Sequence, residues 1–173
     1  GYETVTDHFV RYFVEKGHEV IVACEKPAND HMPESYKGAK LVYFPFKPPM
    51  RYSLRKIYEG LNDLFFYFSL ARRCDAMYIL AGLGTQVLPL TRLLNPSLKI
   101  ITNNDGIEWK REKYSWLEKK LWKSFIRSSL RFSNLIVYDN PRLAEYFPKH
   151  NLKKAITIDY GVEQPPEYEW NVS

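Results

Sequence analysis

Apolar residues in this chain fall into blocks that alternate between helical spacing and short strand-like runs. From Thr4 to Lys16 the apolar positions Val5, Phe9, Val10, Tyr12 and Phe13 recur near helical spacing, and Gly17 follows as a stop. Glu19 to Cys24 reads as a strand. Pro27 to Gly38 holds Pro27, Asn29, Asp30, Pro33 and Gly38, and this density of breakers predicts a loop. Leu41 to Phe46 is a second strand, and Pro48-Pro49-Met50-Arg51-Tyr52 is a stiff connector. Ser53 is placed to cap a helix over about Leu54 to Arg72. Ala76 to Ala81 is the next strand, followed by Gly82-Leu83-Gly84-Thr85 and a short helix from Thr85 or Gln86 to about Leu94. A strand over Lys99 to Thr102 leads into a junction, Asn103 to Arg111, and then a helix over about Trp116 to Phe132. Asn134 to Tyr138 is a strand, Asp139 caps a short helix with Pro141 in its first turn, and Ala155 to Asp159 is the last strand.

About six strands thus alternate with helices. Their runs are rich in Val, Ile, Leu and Tyr without clean alternation, as expected when both faces of a parallel sheet are covered. The pattern predicts a doubly wound, mainly parallel α/β sheet with helices on both faces, Rossmann-like in plan. Such a fold starts with a strand and a Gly-rich turn, whereas this chain starts with a helix. Gly1 therefore reads as the end of that turn, with the first strand missing. Residues 1–161 are expected to form the domain and 162–173 a linker.

Bulk properties narrow the setting. A length of 173 residues suits one domain, and a hydrophobic share of 45% supports a real core. The longest apolar runs, such as Leu64 to Phe68, are far shorter than the roughly 20 residues a membrane span needs. The polar opening gives no sign of a signal peptide. Cys24 and Cys74 sit in no metal-type spacing and read as reduced thiols of a cytoplasmic protein. His8, His18, His31 and His150 are scattered, so no metal site is expected.

The net charge of +5 is unevenly spread. Lys110, Arg111, Lys113, Lys119, Lys120, Lys123, Arg127 and Arg131 face only Glu112 and Glu118 over the same stretch. Such a surface suits a nucleotide, a nucleic acid or an anionic membrane, and a solvated helix face reads the same way. Nucleic acid is disfavoured, because the cations follow one helix and no nucleic-acid motif is present. Trp109, Tyr114, Trp116, Trp122 and Phe125 interleave with these cations. Leu117, Leu121, Phe125 and Ile126 have the spacing of an inward stripe, so most of the aromatics read as core. Trp116, Trp122, Lys119, Lys120 and Lys123 remain candidates for a peripheral membrane face.

Three places could carry chemistry. Gly1 and Tyr2 open the first helix, where free amides suit a phosphate. Gly82, Gly84 and Thr85 follow a buried strand, either as a loop whose amides hold a ligand or as an ordinary turn. The junction Asn103-Asn104-Asp105-Gly106-Ile107-Glu108-Trp109-Lys110-Arg111 lies where ligands bind in open α/β sheets. Asp105 and Glu108 share a face if a helical turn starts there, and one of them could orient or deprotonate a sugar hydroxyl. Carboxylates that satisfy a helix start give the same pattern.

Gly1-Tyr2-Glu3-Thr4, Gly17-His18-Glu19-Val20, Asn104-Asp105-Gly106-Ile107-Glu108-Trp109-Lys110-Arg111 and Ile158-Asp159-Tyr160-Gly161 together resemble the N-terminal half of bacterial GT-B glycosyltransferases, rhamnosyltransferase-like group. The resemblance implies sugar transfer, of rhamnose in particular, from a nucleotide-sugar donor such as dTDP-rhamnose, without a metal. The acceptor would be a glycan or lipid-linked glycan in polysaccharide biosynthesis at the inner membrane face. It implies that Asp105 and Glu108 act on the acceptor, and that Gly1 and Tyr2 approach the donor diphosphate. Gly82, Gly84, Thr85, Asn104, Trp109, Lys110 and Arg111 would line the acceptor side. A second domain would hold most of the donor, so residues 1–173 alone are expected to transfer little or no sugar. The competing expectation is a non-catalytic nucleotide- or sugar-binding α/β module.

Overall fold

The computed structural model describes residues 2–80, 84–104 and 106–158, without the side chains of Tyr52 and Ser53. Its elements run α1 (Tyr2–Glu15), β1 (Ile21–Cys24), β2 (Ser35–Tyr36), β3 (Ala39–Tyr43), α2 (Tyr52–Ala71), β4 (Ala76–Leu80), α3 (Leu88–Leu94), β5 (Lys99–Asn103), α4 (Trp116–Phe132), β6 (Leu135–Tyr138) and β7 (Ala155–Thr157). The fold is α/β, with a four-stranded parallel sheet in the order β4-β5-β6-β7. A second, mixed sheet has the order β1-β3-β2. β1 runs parallel to β3, while β2 is antiparallel to it.

Among the described residues the strands form two sheets rather than one, because β1 and β4 are not hydrogen-bonded to each other. Two helices tie the sheets together from opposite sides. α1 presents Phe9 edge-on to Tyr78 of β4 at 4.8 Å. Two residues earlier, Asp7 accepts bonds from Tyr36 (2.9 Å) and Lys37 (2.8 Å) at β2. On the other side, Tyr58, Phe66 and Leu70 of α2 pack with Phe44, and with Ile21, Val42 and Met77 from three strands. Tyr67 and Ala71 of α2 and Leu88 of α3 close over Ile79 and Ile100. Ile126 and Leu130 of α4 cover Ile136 and Tyr138. The register puts Thr102 beside Ile136, so Ile100, Ile136 and the helices α2, α3 and α4 share one side.

Local chemistry sets most of the boundaries. Gly17 ends α1 in a left-handed conformation, φ 83°. There the Gly17 and His18 amides donate to the carbonyls of Val14 and Phe13. The loop expected over residues 27–38 contains β2, a two-residue pairing too short to announce itself in sequence. α2 starts at Tyr52 with Arg51 as its N-cap residue, so Ser53 lies inside the helix and is not its cap. Asn140, not Asp139, caps the turn at Pro141–Tyr146, its side chain accepting from the Arg142 amide at 2.9 Å, and that turn is 3-10 rather than α-helical.

α4 opens with a capping box. Ser115 accepts from the Glu118 amide at 3.4 Å, and Glu118 accepts from the Ser115 amide at 2.8 Å. Lys56 first, then Ser115, lower the Glu118 carboxyl to about 2. Ser115→Ala should cost about 1 kcal/mol in a denaturant melt, the usual value of an N-cap.

Leu117 and Leu121 are exposed, against the inward stripe expected of them. α4 is about 26 Å long at 1.5 Å per residue, whereas the strands beneath it span only about 17 Å. Its first turns therefore project past the sheet, and only Ile126, Ser129 and Leu130 are buried.

Candidate functional site at the carboxyl edge of the parallel sheet

Parallel strands end together, so the segments after β4, β5 and β6 meet at one edge. The Asn104 amide donates to the Val137 carbonyl at 2.9 Å, which carries the sheet one residue beyond β5. Since Asn103 pairs with Val137, Asn104 lies beside Tyr138. Asn104 is 2% exposed. Its Oδ1 accepts from Ser129 Oγ at 3.4 Å, and its Nδ2 has no partner. The Tyr138 hydroxyl also lacks one. Its ring stacks on Phe147 at 5.2 Å, and burial pushes the hydroxyl up to about 12. Two buried polar groups with spare hydrogen-bonding capacity thus sit side by side, a situation rare enough in folded proteins to mark a site.

Ile107 and Trp109 of the junction pack against the cluster that contains Tyr138. Helical geometry begins at Glu108, in a 3-10 turn over Glu108–Lys110. Asp105 itself lies outside the described residues, as do Gly1 and Gly82. Glu108 is the better buried partner of an ion pair with Arg111 at 2.9 Å, its side chain 15% exposed. The Tyr114 hydroxyl is held above its ordinary value by burial and by its hydrogen bond to Glu108. A Cβ on Gly106 would stand 3.1 Å from Glu108 Oε1, so glycine leaves room for this carboxylate. Trp109 turns inward, edge-on to Phe147 at 6.1 Å. Lys110 places Nζ 4.0 Å over the Tyr146 ring.

Thr85, Gly84 and Tyr2 are the other expected site residues that the structure describes. Thr85 is fully buried, donates to the Phe125 carbonyl at 2.6 Å and accepts from Ser128 at its own carbonyl. Its hydroxyl fastens the post-β4 turn to α4. Gly84 has φ 68° and lies under Tyr67 and Leu64, so the backbone there requires glycine. Tyr2 lines a cavity of about 430 Å³ between α1 and β1, with Cys24 opposite.

Sequence patterning alone passed over a polar seam on α2. Arg55, Glu59, Asp63 and Tyr67 recur every four residues, and that spacing was the available signal. Arg55 grips Glu25, at the end of β1, at 2.7 Å and Glu59 at 3.0 Å. Burial first, with Glu59 and Glu25 adding repulsion, raises the Asp63 carboxyl to about 7. An ordinary Asp titrates near 3.8. Between those values the unfolded chain has lost this proton while the folded chain keeps it. Asp63 therefore makes stability fall as pH rises from about 4 to about 7. Asp63→Asn should remove that fall and raise Tm by several degrees at pH 8 while leaving it nearly unchanged at pH 4.

A family model described as a domain of unknown function, DUF1972, matches residues 1–163. No curated protein matches the chain.

Proposed function

We propose that this chain, which belongs to the DUF1972 family, is the acceptor-side domain of a glycosyltransferase that moves a sugar, rhamnose by resemblance, from a nucleotide-sugar to a glycan acceptor. The observation that supports this reading best is the buried Asn104 amide, its Nδ2 without a partner, at the edge where doubly wound sheets bind ligands, on the same short segment as the Glu108 carboxylate that Arg111 fixes. A sugar offers hydroxyls that both donate and accept. Glu108 can take a hydroxyl proton in a hydrogen bond, while the Asn104 amide donates to a hydroxyl or ring oxygen.

Arg111 and Tyr114 fix the direction of Glu108, which suits it to orienting the acceptor. Asp105, three residues earlier, is then assigned to proton removal. The acceptor hydroxyl gives its proton to this carboxylate as its oxygen bonds to the anomeric carbon of the donor. The bond from that carbon to the nucleoside diphosphate breaks, and the diphosphate leaves with the electron pair. Lys110 and Arg111 supply positive charge on this side of the cleft.

The runner-up is a sugar- or nucleotide-binding module without turnover, which the same hydrogen-bonding groups would serve. The separating experiment incubates the natural full-length protein with dTDP-rhamnose and membrane-extracted lipid-linked glycan. Transfer of labelled sugar supports the enzyme. Saturable binding without transfer supports the module.

A further inference from the structure

We propose that the outer face of α2, α3 and α4 docks on an anionic phospholipid bilayer. The three helices lie on one side of the sheets, with α3 packed against both neighbours. The side they turn outward is abnormal for a helix in water. From Leu54 to Phe68 every exposed position of α2 is apolar except Lys56. Leu54, Ile57, Leu61, Phe65 and Phe68 follow one another at three or four residues, a seam about 21 Å long. Phe46 and Pro49 of the preceding connector line the same groove, of about 830 Å³. Both exposed positions of α3 are leucines, Leu90 and Leu93, the latter 77% exposed. The projecting start of α4 adds Leu117, Leu121 and Trp116, which is 70% exposed. A water-facing helix surface is normally charged, and isolated apolar patches do not run across three neighbouring helices.

Charge selects the occupant. The remaining exposed positions of α4 are Lys120, Lys123, Ser124, Arg127 and Arg131. Arg72 and Arg73 stand at the far end of α2. The three helices carry three carboxylates: Glu59 is bound to Arg55, Glu118 to Lys56, and Asp63 accepts from Asn62. The face thus combines an apolar centre, a cationic border and an exposed Trp with Lys120 4.0 Å over its ring. That combination matches the acyl boundary and headgroups of an anionic leaflet. A second copy would bring the same cationic borders together, in a chain already at +5. Trp122, also expected at such a surface, instead packs on Phe125 at 5.9 Å. Among the described residues no helix is long and apolar enough to cross the membrane, so the contact is peripheral. The inference stands whether or not the chain transfers sugar.

The test is sedimentation with vesicles of phosphatidylcholine, with or without one third phosphatidylglycerol, at low salt. The chain should partition about tenfold or more in favour of the anionic vesicles, with its Trp emission quenched by brominated lipid. Ile57→Glu combined with Leu61→Glu, both at exposed positions, should lower that partition at least about tenfold while leaving circular dichroism unchanged. Lys120→Glu with Lys123→Glu should weaken binding to anionic vesicles and leave the neutral ones unaffected. Absence of binding to anionic vesicles overturns the proposal, as does equal binding by the folded Ile57→Glu, Leu61→Glu variant. A dimer that this variant dissociates, without vesicle binding, also overturns it and assigns the face to a second copy.

Discussion

Glu108→Gln should lower sugar transfer by the natural full-length protein about ten- to a hundredfold, the range of a lost positioning or acid–base group. Gln keeps the volume and one acceptor oxygen but loses the charge that holds Arg111 at 2.9 Å. Released, the guanidinium gives up one fixed orientation, and so does the Tyr114 hydroxyl bonded to the same carboxylate. The defect should appear mainly as a raised KM for the acceptor, with donor KM unchanged, because the role proposed for Glu108 is toward the acceptor. Asp105→Asn should instead lower kcat, as expected for the group that receives the proton. Steady-state kinetics with each substrate varied in turn distinguishes the two roles.

Ile100→Ala should cost about 2–5 kcal/mol, the range for emptying an aliphatic side chain from a close-packed core. Ile100 is fully buried on the central strand β5, in one cluster with Tyr67, Ala71, Leu88 and Leu98. Tyr67 and Ala71 belong to α2, Leu88 to α3 and Leu98 to the turn before β5, so no single neighbour can move in to refill the space. A loss of this size is a large part of the roughly 5–15 kcal/mol that holds a domain together. A urea melt should show a lower midpoint at unchanged slope. Equal midpoints for Ile100→Ala and the parent chain would place the core elsewhere.

The alternation of helical and strand-like runs was enough to find α/β architecture and the side-by-side parallel strands, because buried strands must be apolar on both faces. Gly17 marked the end of α1 for the same kind of reason, since few other residues reach its φ. β2 escaped because it is only two residues long, paired with β3 across the Lys37-Gly38 turn, where both residues have positive φ. Most of the rest was set by contacts distant in sequence, such as those of Tyr36 and Lys37 with Asp7, twenty-nine and thirty residues away. The exposure of Leu117 and Leu121 follows from the lengths of α4 and its strands, not from spacing within α4. At the site, the junction of residues 103–111 was conspicuous as a cluster of charges at a strand end. Glu108 pairs with Arg111 only three residues on, a local contact, whereas the inward turn of Trp109 and the part Thr85 plays in the fold depended on tertiary packing. The apolar seam of α2 was visible as hydrophobic text, but text alone does not tell an inward stripe from an outward one.

The central claim is that the turn after β5 holds a saccharide, and amide and indole NMR shifts during titration with a rhamnose-containing oligosaccharide test it most directly. The account predicts saturable shifts at the Trp109 indole N–H and at the amides of residues 104–111, abolished by Glu108→Gln. Shifts confined to α1 on adding nucleotide, with none in residues 104–111 on adding saccharide, would contradict it.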